Sequence, residues 1–162
     1  MSLSAASSGV VSRAYAPARL AAARPAFLYA DEMTWRPGFG LAREILKYAE
    51  EELGKALRLN DVFLYRNAAD KAFLALVVAV NAYIGVVEGV EPVSHSERRK
   101  ILRKIGREDL RALYSDLMKT LHEEAFYQGV YQPDEVEYAM KKVEEVVAQL
   151  EEEAKRKAAG QR

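Results

Sequence analysis

One long apolar stretch, Tyr65 to Val87, most constrains how this chain can fold. Its sequence, YRNAADKAFLALVVAVNAYIGVV, opens polar and then becomes apolar on every side, with Asn81 as the one strongly polar side chain. A helix that is hydrophobic all round must be buried in a bundle, at a subunit interface or in a membrane. Lys71 and Glu88 enclose only 16 positions, whereas a span needs about 20 apolar residues. We therefore expect the central helix of a soluble, oligomeric helical protein, with no membrane.

Length and composition bound the rest of the chain. The 162 residues suit one domain, the formal net charge is zero, and cysteine is absent, which excludes disulfides and thiolate metal sites and fits a cytoplasmic protein. Asn and Gln are scarce, a pattern compatible with a thermophilic source. Residues 1–37 are expected to be an Ala-, Ser- and Arg-rich extension, either poorly ordered or an organellar transit peptide, and residues 38–159 a single helical-bundle domain.

The remaining segments show helical periodicity and no strand-like alternation. Short connections between long helices favour antiparallel neighbours, so the predicted fold is all-α, an antiparallel up-and-down bundle of about five helices. The expected elements are a turn at Trp35–Gly38, a first helix from Leu41 to near Leu59, the apolar helix ending around Glu88–Gly89, a third helix opened by the capping box Ser94–Glu97, a fourth from Arg107 to Tyr127, and a fifth starting at Pro133.

A basic run after the apolar helix is the strongest chemical feature. Lys100, Lys104, Arg107 and Arg111 share one face if the helix continues through Gly106. Arg103 lies beside this basic stripe. Such a stripe neutralises phosphates and gives sequence-independent binding to nucleic acid. The alternative is a solvated helix face that neighbouring acidic residues neutralise.

The two histidines, His95 and His122, do not indicate a metal site. Neither has a second His at a spacing of three or four, as a helical zinc site needs. His122 precedes Phe126 and Tyr127 near a helix end, which favours a packed structural residue. The functional alternative for His122 is a base, or a hydrogen-bond donor to phosphate, lining a cleft.

Polar residues open and interrupt the apolar helix. Arg66 and Asp70, four apart, are expected to form a local ion pair; the alternative is a polar pocket with Arg66 and Asn67 available to a phosphate. Asn81 must find a partner if it is buried. Because the other helices have one apolar face each, part of this helix is expected at a dimer interface. The expected interface residues are Phe73, Val77, Val80, Asn81 and Ile84.

The stretch YRNAADKAFLALVVAVNAYI, the basic segment after it and the later LHEEAFYQGVY together resemble the HEPN superfamily (higher eukaryote and prokaryote nucleotide-binding), particularly its archaeal PaREP-type branch. The resemblance covers about residues 38–153. It implies a bundle of about five helices, homodimerisation, contact with RNA or a nucleotide, and in some cases a small nucleotidyltransferase partner. Many ribonuclease members place an Arg about four to six residues before a His. No Arg stands at that distance before His95 or His122.

The leading hypothesis is therefore a non-catalytic dimeric module that binds a nucleotide, RNA or a protein partner, without cofactor or metal. One alternative is a divergent ribonuclease that uses His122 with Arg111 or Arg66, and another is a purely structural or antitoxin-like subunit. The residues expected to contact a nucleotide or nucleic acid are Arg66, Asn67, Lys100, Arg103, Lys104, Arg107, Arg111, His122 and Tyr127.

Overall fold

The computed structural model describes residues 32–160, which form five α-helices and one π-helical segment. Within these residues there is no strand, so the expected all-α class is confirmed. The elements are α1 (Glu32–Leu59), α2 (Val62–Glu88), α3 (His95–Lys104), α4 (Glu108–Leu117), the π segment (Met118–Gln128), which continues α4 without a break, and α5 (Pro133–Gly160).

Helix α2 is the centre of the bundle, in contact with α1, α3, α5 and the π segment. Phe73, Val80 and Ile84 are at most 2% exposed. The chain's own helices therefore cover three of the five residues expected at a dimer interface. Val77 and Asn81 keep part of their surface. The dimer itself stays a prediction.

The length and hydropathy of α2 alone would allow a membrane span, in contrast to the shorter stretch counted from the sequence. However, 56% of its most apolar window is buried by the rest of the chain. A central core helix meets the same length and composition criteria, and this burial favours that interpretation.

The first helix begins earlier than expected. The predicted turn at Trp35–Gly38 is wrong, because α1 starts at Glu32 and includes Pro37. Trp35 and Phe39 lie on the core side of this first part of α1 and are at most 2% exposed; burial of two large rings offsets the backbone hydrogen bond that a proline inside a helix loses. The expected boundary between residues 37 and 38 thus falls inside a helix, and residues 1–31 lie outside the described residues.

Side-chain caps set the starts of α2 and α3, and the one at Ser94–Glu97 confirms the predicted capping box. The Asp61 carboxylate accepts the backbone N–H groups of Phe63 and Leu64 at the start of α2. At the start of α3, Ser94 Oγ accepts the Glu97 N–H, and the Glu97 carboxylate reaches back to the N–H of Val93. These bonds satisfy donors that have no partner inside the helix.

The predicted fourth helix is helical throughout but changes type. Ordinary α-helical turns end at Leu117, and the following residues to Gln128 form the π segment. At its end Gly129 adopts φ +68° and donates its N–H to Glu124 O, five residues back. The π-helix is rare; it occurs mostly as single-turn bulges inside α-helices, and those bulges are frequent at functional sites.

Candidate functional site: a two-histidine cleft

The fold brings together both histidines of the chain. His95 is the first residue of α3 and His122 lies in the π segment, and their ring centroids are 5.8 Å apart. They line a cavity of about 510 Å³, which we call the two-histidine cleft. Its volume falls in the range of pockets for small ligands. The residues that line the two-histidine cleft are Asp70, Phe73, Leu74, Val77, Val93, Ser94, His95, Arg98 and His122.

Asp70 orients the ring of His122. Asp70 Oδ1 of α2 lies 2.7 Å from His122 Nδ1. An ionised carboxylate only accepts hydrogen bonds, so His122 Nδ1 carries the ring proton and donates a hydrogen bond to Asp70. The second ring nitrogen, Nε2, is then the acceptor of the neutral imidazole. The wider π turn places both Phe126 and Tyr127 against His122, with ring centroids at 5.9 and 5.1 Å.

His95 is held in the opposite tautomer. Its Nδ1 lies 2.7 Å from the hydroxyl of Tyr114, and the Arg98 guanidinium lies beside that hydroxyl. Because the cation favours the tyrosine oxygen as an acceptor, the O–H is directed at His95 Nδ1. Burial raises the pKa of Tyr114, which keeps this donor protonated. Therefore His95 Nε2 carries the proton and is a donor.

The environment keeps His95 neutral near pH 7. Burial lowers the pKa of His95, and the positive charge of Arg98, that of His122 when it is protonated, and that of Arg99 lower it further. Desolvation and like charges both disfavour the imidazolium form. An anion bound in the two-histidine cleft would counter these like charges and so raise the pKa of His95.

Arg98 is the buried charge of this site. The residue as a whole is 6% exposed, its Nε donates to Asn81 Oδ1 at 2.7 Å, and its Nη2 donates to the Pro92 carbonyl at 3.2 Å. Within residues 32–160 no carboxylate forms an ion pair with it, because Asp70, the one acid lining the cleft, binds His122. A buried charge is costly unless a counter-charge is close.

Apolar side chains also line the two-histidine cleft. The Phe73 ring packs against both imidazoles, with centroid distances of 5.4 Å to His95 and 5.3 Å to His122. Leu74 and Val93 form part of the wall and are 48% and 87% exposed. The cleft thus combines a cationic side chain and two imidazoles with exposed apolar side chains.

The structure breaks the predicted basic stripe. Gly106 has φ +75° between α3 and α4, so the helix does not continue and the four residues do not share one face. Arg107 binds Asp109, Glu153 and the Tyr83 hydroxyl, Arg111 binds Glu108, and Lys104 binds Glu88. Lys100 and Arg103 remain on the exposed surface of α3.

The polar residues at the start of α2 also differ from expectation. Arg66 does not pair with Asp70; it donates to the carbonyls of Phe126 and Tyr127, at 2.7 and 3.1 Å. It therefore stabilises the C-terminal end of the π segment. Asn67 is exposed beside it. Tyr127 is 68% exposed and joins the site only through its edge contact with His122.

The sequence favoured a packed structural role for His122, with a ligand site as the alternative, and it did not indicate the partners of His122. Arg98 was passed over within the basic run, and Asp70 was assigned to Arg66. Helical spacing does indicate that both residues belong to this site. His95 and Arg98 are three residues apart and share a face of α3, and Asp70 shares a face of α2 with Leu74 and Val77, four and seven residues later. Across residues 32–160 no three metal-ligating side chains come together.

Fold and site together define a class: an all-helical bundle around an apolar central helix, with a cleft that joins two histidines to a buried arginine. A model of the archaeal PaREP1/PaREP8 family matches residues 44–147, from α1 to α5, and the chain belongs to this family. Neither the curated proteins nor the solved structures contain a match to the chain.

Proposed function

We propose that this protein is a ligand-binding module whose two-histidine cleft holds a phosphorylated ligand of the nucleotide class. The observation that carries the proposal is Arg98, a residue only 6% exposed that lines the cleft and whose guanidinium donates to the neutral acceptors Asn81 Oδ1 and Pro92 O. A phosphate oxygen there would supply the counter-charge that the fold does not. Guanidinium–phosphate hydrogen bonds are charge-assisted and stronger than neutral ones.

The neighbouring groups support the same ligand. His95 Nε2 is a donor in the cleft, and Ser94, the N-cap of α3, also lines it, at the end of the helix where the dipole favours an anion. Leu74 and Val77 on α2 offer apolar surface for the organic part of the ligand. The surface residues Lys100 and Arg103 contribute long-range attraction only.

Calorimetric titration with adenosine 5′-monophosphate tests this proposal. We expect binding by the wild type, loss of binding in Arg98→Met, and unchanged binding in Arg103→Met, a matched control on the exposed side of α3. Circular dichroism establishes that both variants keep their helices. Equal affinity of the Arg98→Met and wild-type proteins would refute the site.

A second candidate function is phosphodiester cleavage, favoured by the two tautomers. His122 Nε2 is an acceptor and His95 Nε2 is a donor, as a general base and a general acid require. The Arg111 and Arg66 partners considered from the sequence are engaged elsewhere. RNA cleavage that is unchanged in a His122→Ala protein would remove this candidate, and His95→Gln tests the acid separately.

The assembly belongs to the proposal as well. The absence of cysteine fits a cytoplasmic protein. The resemblance to the HEPN superfamily favours a homodimer and suggests a nucleotidyltransferase as a further partner. A monomeric mass in light scattering at micromolar concentration would contradict the dimer. Copurification with a nucleotidyltransferase, without nucleotide binding, would favour a structural or antitoxin-like subunit instead.

A further inference from the structure

We infer that the two-histidine cleft takes up a proton at His95 when it binds its anion, and that Tyr114 is the positioning residue that opposes this uptake in the free protein. The inference rests on the proposed function, since it describes how binding at the same site is regulated. It follows from two features of His95: the charges that face its ring, and the hydrogen bond at its Nδ1 atom.

The charges that face His95 are positive. They are those of Arg98, Arg99 and, when it is protonated, His122. The His122 ring comes from the π segment, and its centroid lies 5.8 Å from that of His95. The neighbouring acids are already engaged, Asp70 of α2 by His122 and Glu97 of α3 by the N–H of Val93. Within residues 32–160 no carboxylate forms an ion pair with His95, so an imidazolium there has no counter-charge of its own.

The Tyr114 hydroxyl from α4 opposes protonation of His95 at Nδ1. It lies 2.7 Å from that nitrogen, and Arg98 beside it favours the hydroxyl oxygen as an acceptor, so the O–H is directed at the imidazole. An imidazolium donates from both of its nitrogens, so protonation would force the O–H to turn away. Tyr114 is 0% exposed, and in the described part of the chain His95 is the one acceptor bonded to its hydroxyl. A buried donor left without an acceptor costs free energy.

A bound phosphate changes this balance at His95. A phosphate monoester brings a charge of about −1.5 to −2 at pH 7, which opposes the positive charge of Arg98. A nearby negative charge favours the imidazolium form, so the pKa of His95 is higher in the complex than in the free protein. A group whose pKa rises on binding takes up a proton, and the affinity then increases as the pH falls through the interval between the two pKa values.

Tyr114 acts on this equilibrium through His95 and not through the ligand. The residues that line the two-histidine cleft include His95 and Arg98 but not Tyr114. On its other side the Tyr114 ring packs against Phe73 of α2, with centroids 5.5 Å apart. Removing the hydroxyl should therefore change the protonation of His95 without removing a contact to the phosphate.

A proton NMR titration of the histidine rings measures the uptake directly. The chain has two histidines, and the spectrum of His95→Gln identifies the His95 signal by its loss. We expect saturating adenosine 5′-monophosphate to raise the pKa of His95 in the wild type. Binding of this nucleotide with an unchanged or lower pKa of His95 would overturn the inference and leave the proposed function standing. Absence of binding would overturn both.

Calorimetric titrations at pH 7 and pH 8 measure the consequence for affinity. Adenosine 5′-monophosphate remains mainly a dianion over this interval, because its second phosphate pKa is about 6. The wild type should bind it about twofold or more tighter at pH 7 than at pH 8. His95→Gln cannot take up the proton and should lose most of this difference. Equal pH dependence in the two proteins would contradict uptake at His95.

The Tyr114→Phe substitution tests the positioning role. It should raise the pKa of His95 in the free protein, because no O–H then holds Nδ1 unprotonated. Tyr83→Phe is the matched control, since Tyr83 is also buried and its hydroxyl also contacts an arginine, Arg107, away from the cleft. Circular dichroism establishes that both variants keep their helices. A His95 pKa in Tyr114→Phe equal to or below that of the wild type would contradict the role of the hydroxyl.

Discussion

Asp70 and His122, 52 residues apart in the chain, are joined by a 2.7 Å contact between Oδ1 and Nδ1. This contact links the central helix α2 to the π segment, and it sets which nitrogen of His122 faces the two-histidine cleft. Neither residue is near the other in any one helix, so only the tertiary packing creates the pair.

Replacing Asp70 with Ala should lower the free energy of unfolding only slightly. The side chains of Asp70 and His122 are 39% and 26% exposed, and pairs so accessible to water contribute about 0–1 kcal/mol. Urea denaturation of Asp70→Ala and of the isosteric Asp70→Asn would measure this cost. A loss of several kcal/mol in both variants would show that the pair holds the π segment in place.

Asn81 and Arg98 should be energetically coupled. The Arg98→Met substitution leaves Asn81 Oδ1 and the Pro92 carbonyl without their donor, at a cost of about 1–3 kcal/mol. Adding Asn81→Leu removes one of the orphaned acceptors and should recover part of that loss. A double-mutant cycle by urea denaturation should give a coupling of about 1 kcal/mol. Additive effects of the two substitutions would contradict the contact.

Arg66 should matter for stability and not for phosphate binding. Its two hydrogen bonds to the carbonyls of Phe126 and Tyr127 are charge-assisted, and their loss in Arg66→Ala should cost about 1.5–3 kcal/mol. Arg66→Lys should recover only part, because an ammonium lacks the planar fork. Thermal denaturation measures the cost, with Arg58→Ala at the exposed end of α1 as the control. Loss of adenosine 5′-monophosphate binding in a folded Arg66→Ala protein would instead place Arg66 in the site.

Gly38 and Gly40 should respond in opposite directions to replacement by Ala. A Cβ atom on Gly38 would lie 2.9 Å from Ala82 Cβ, whereas one on Gly40 would meet nothing within 4 Å. Gly38→Ala should therefore push α1 from α2 and cost about 1–3 kcal/mol. Gly40→Ala should stabilise the helix by up to about 1 kcal/mol. Thermal denaturation of the two variants compares these effects, and a stabilised Gly38→Ala protein would contradict the close approach of α1 and α2.

Acidification should destabilise the protein through His95. Burial, followed by Arg98, His122 and Arg99, lowers the pKa of His95 in the folded state. The unfolded chain therefore takes up a proton at about pH 6.5 while the folded protein does not, so stability is lost as pH falls below that value. Between about pH 7.5 and about pH 5.5 the wild type should lose more free energy of unfolding than His95→Gln. Equal losses in urea titrations at the two pH values would refute the assignment to His95.

Hydrophobic periodicity and capping chemistry determined most of the fold. The apolar stretch predicted a buried central helix, Asp61 and Ser94 mark the starts of α2 and α3, and Gly106 separates α3 from α4. These signals are local, because a cap or a left-handed glycine acts within a few residues of itself. The start of α1 was missed for the same reason: Pro37 argues for a break locally, and only the burial of Trp35 by other elements outweighs it.

The candidate site depended on tertiary structure. The sequence by itself determined that the chain has two histidines, a basic run and a polar opening to α2, but not which of these meet. Packing decided that Asp70 pairs with His122, that Arg98 and not Lys100 or Arg103 is buried, and that Arg66 binds backbone carbonyls. The physical reason is that the burial of a charge and the choice of its partner depend on contacts between helices distant in the chain, which no helical period encodes.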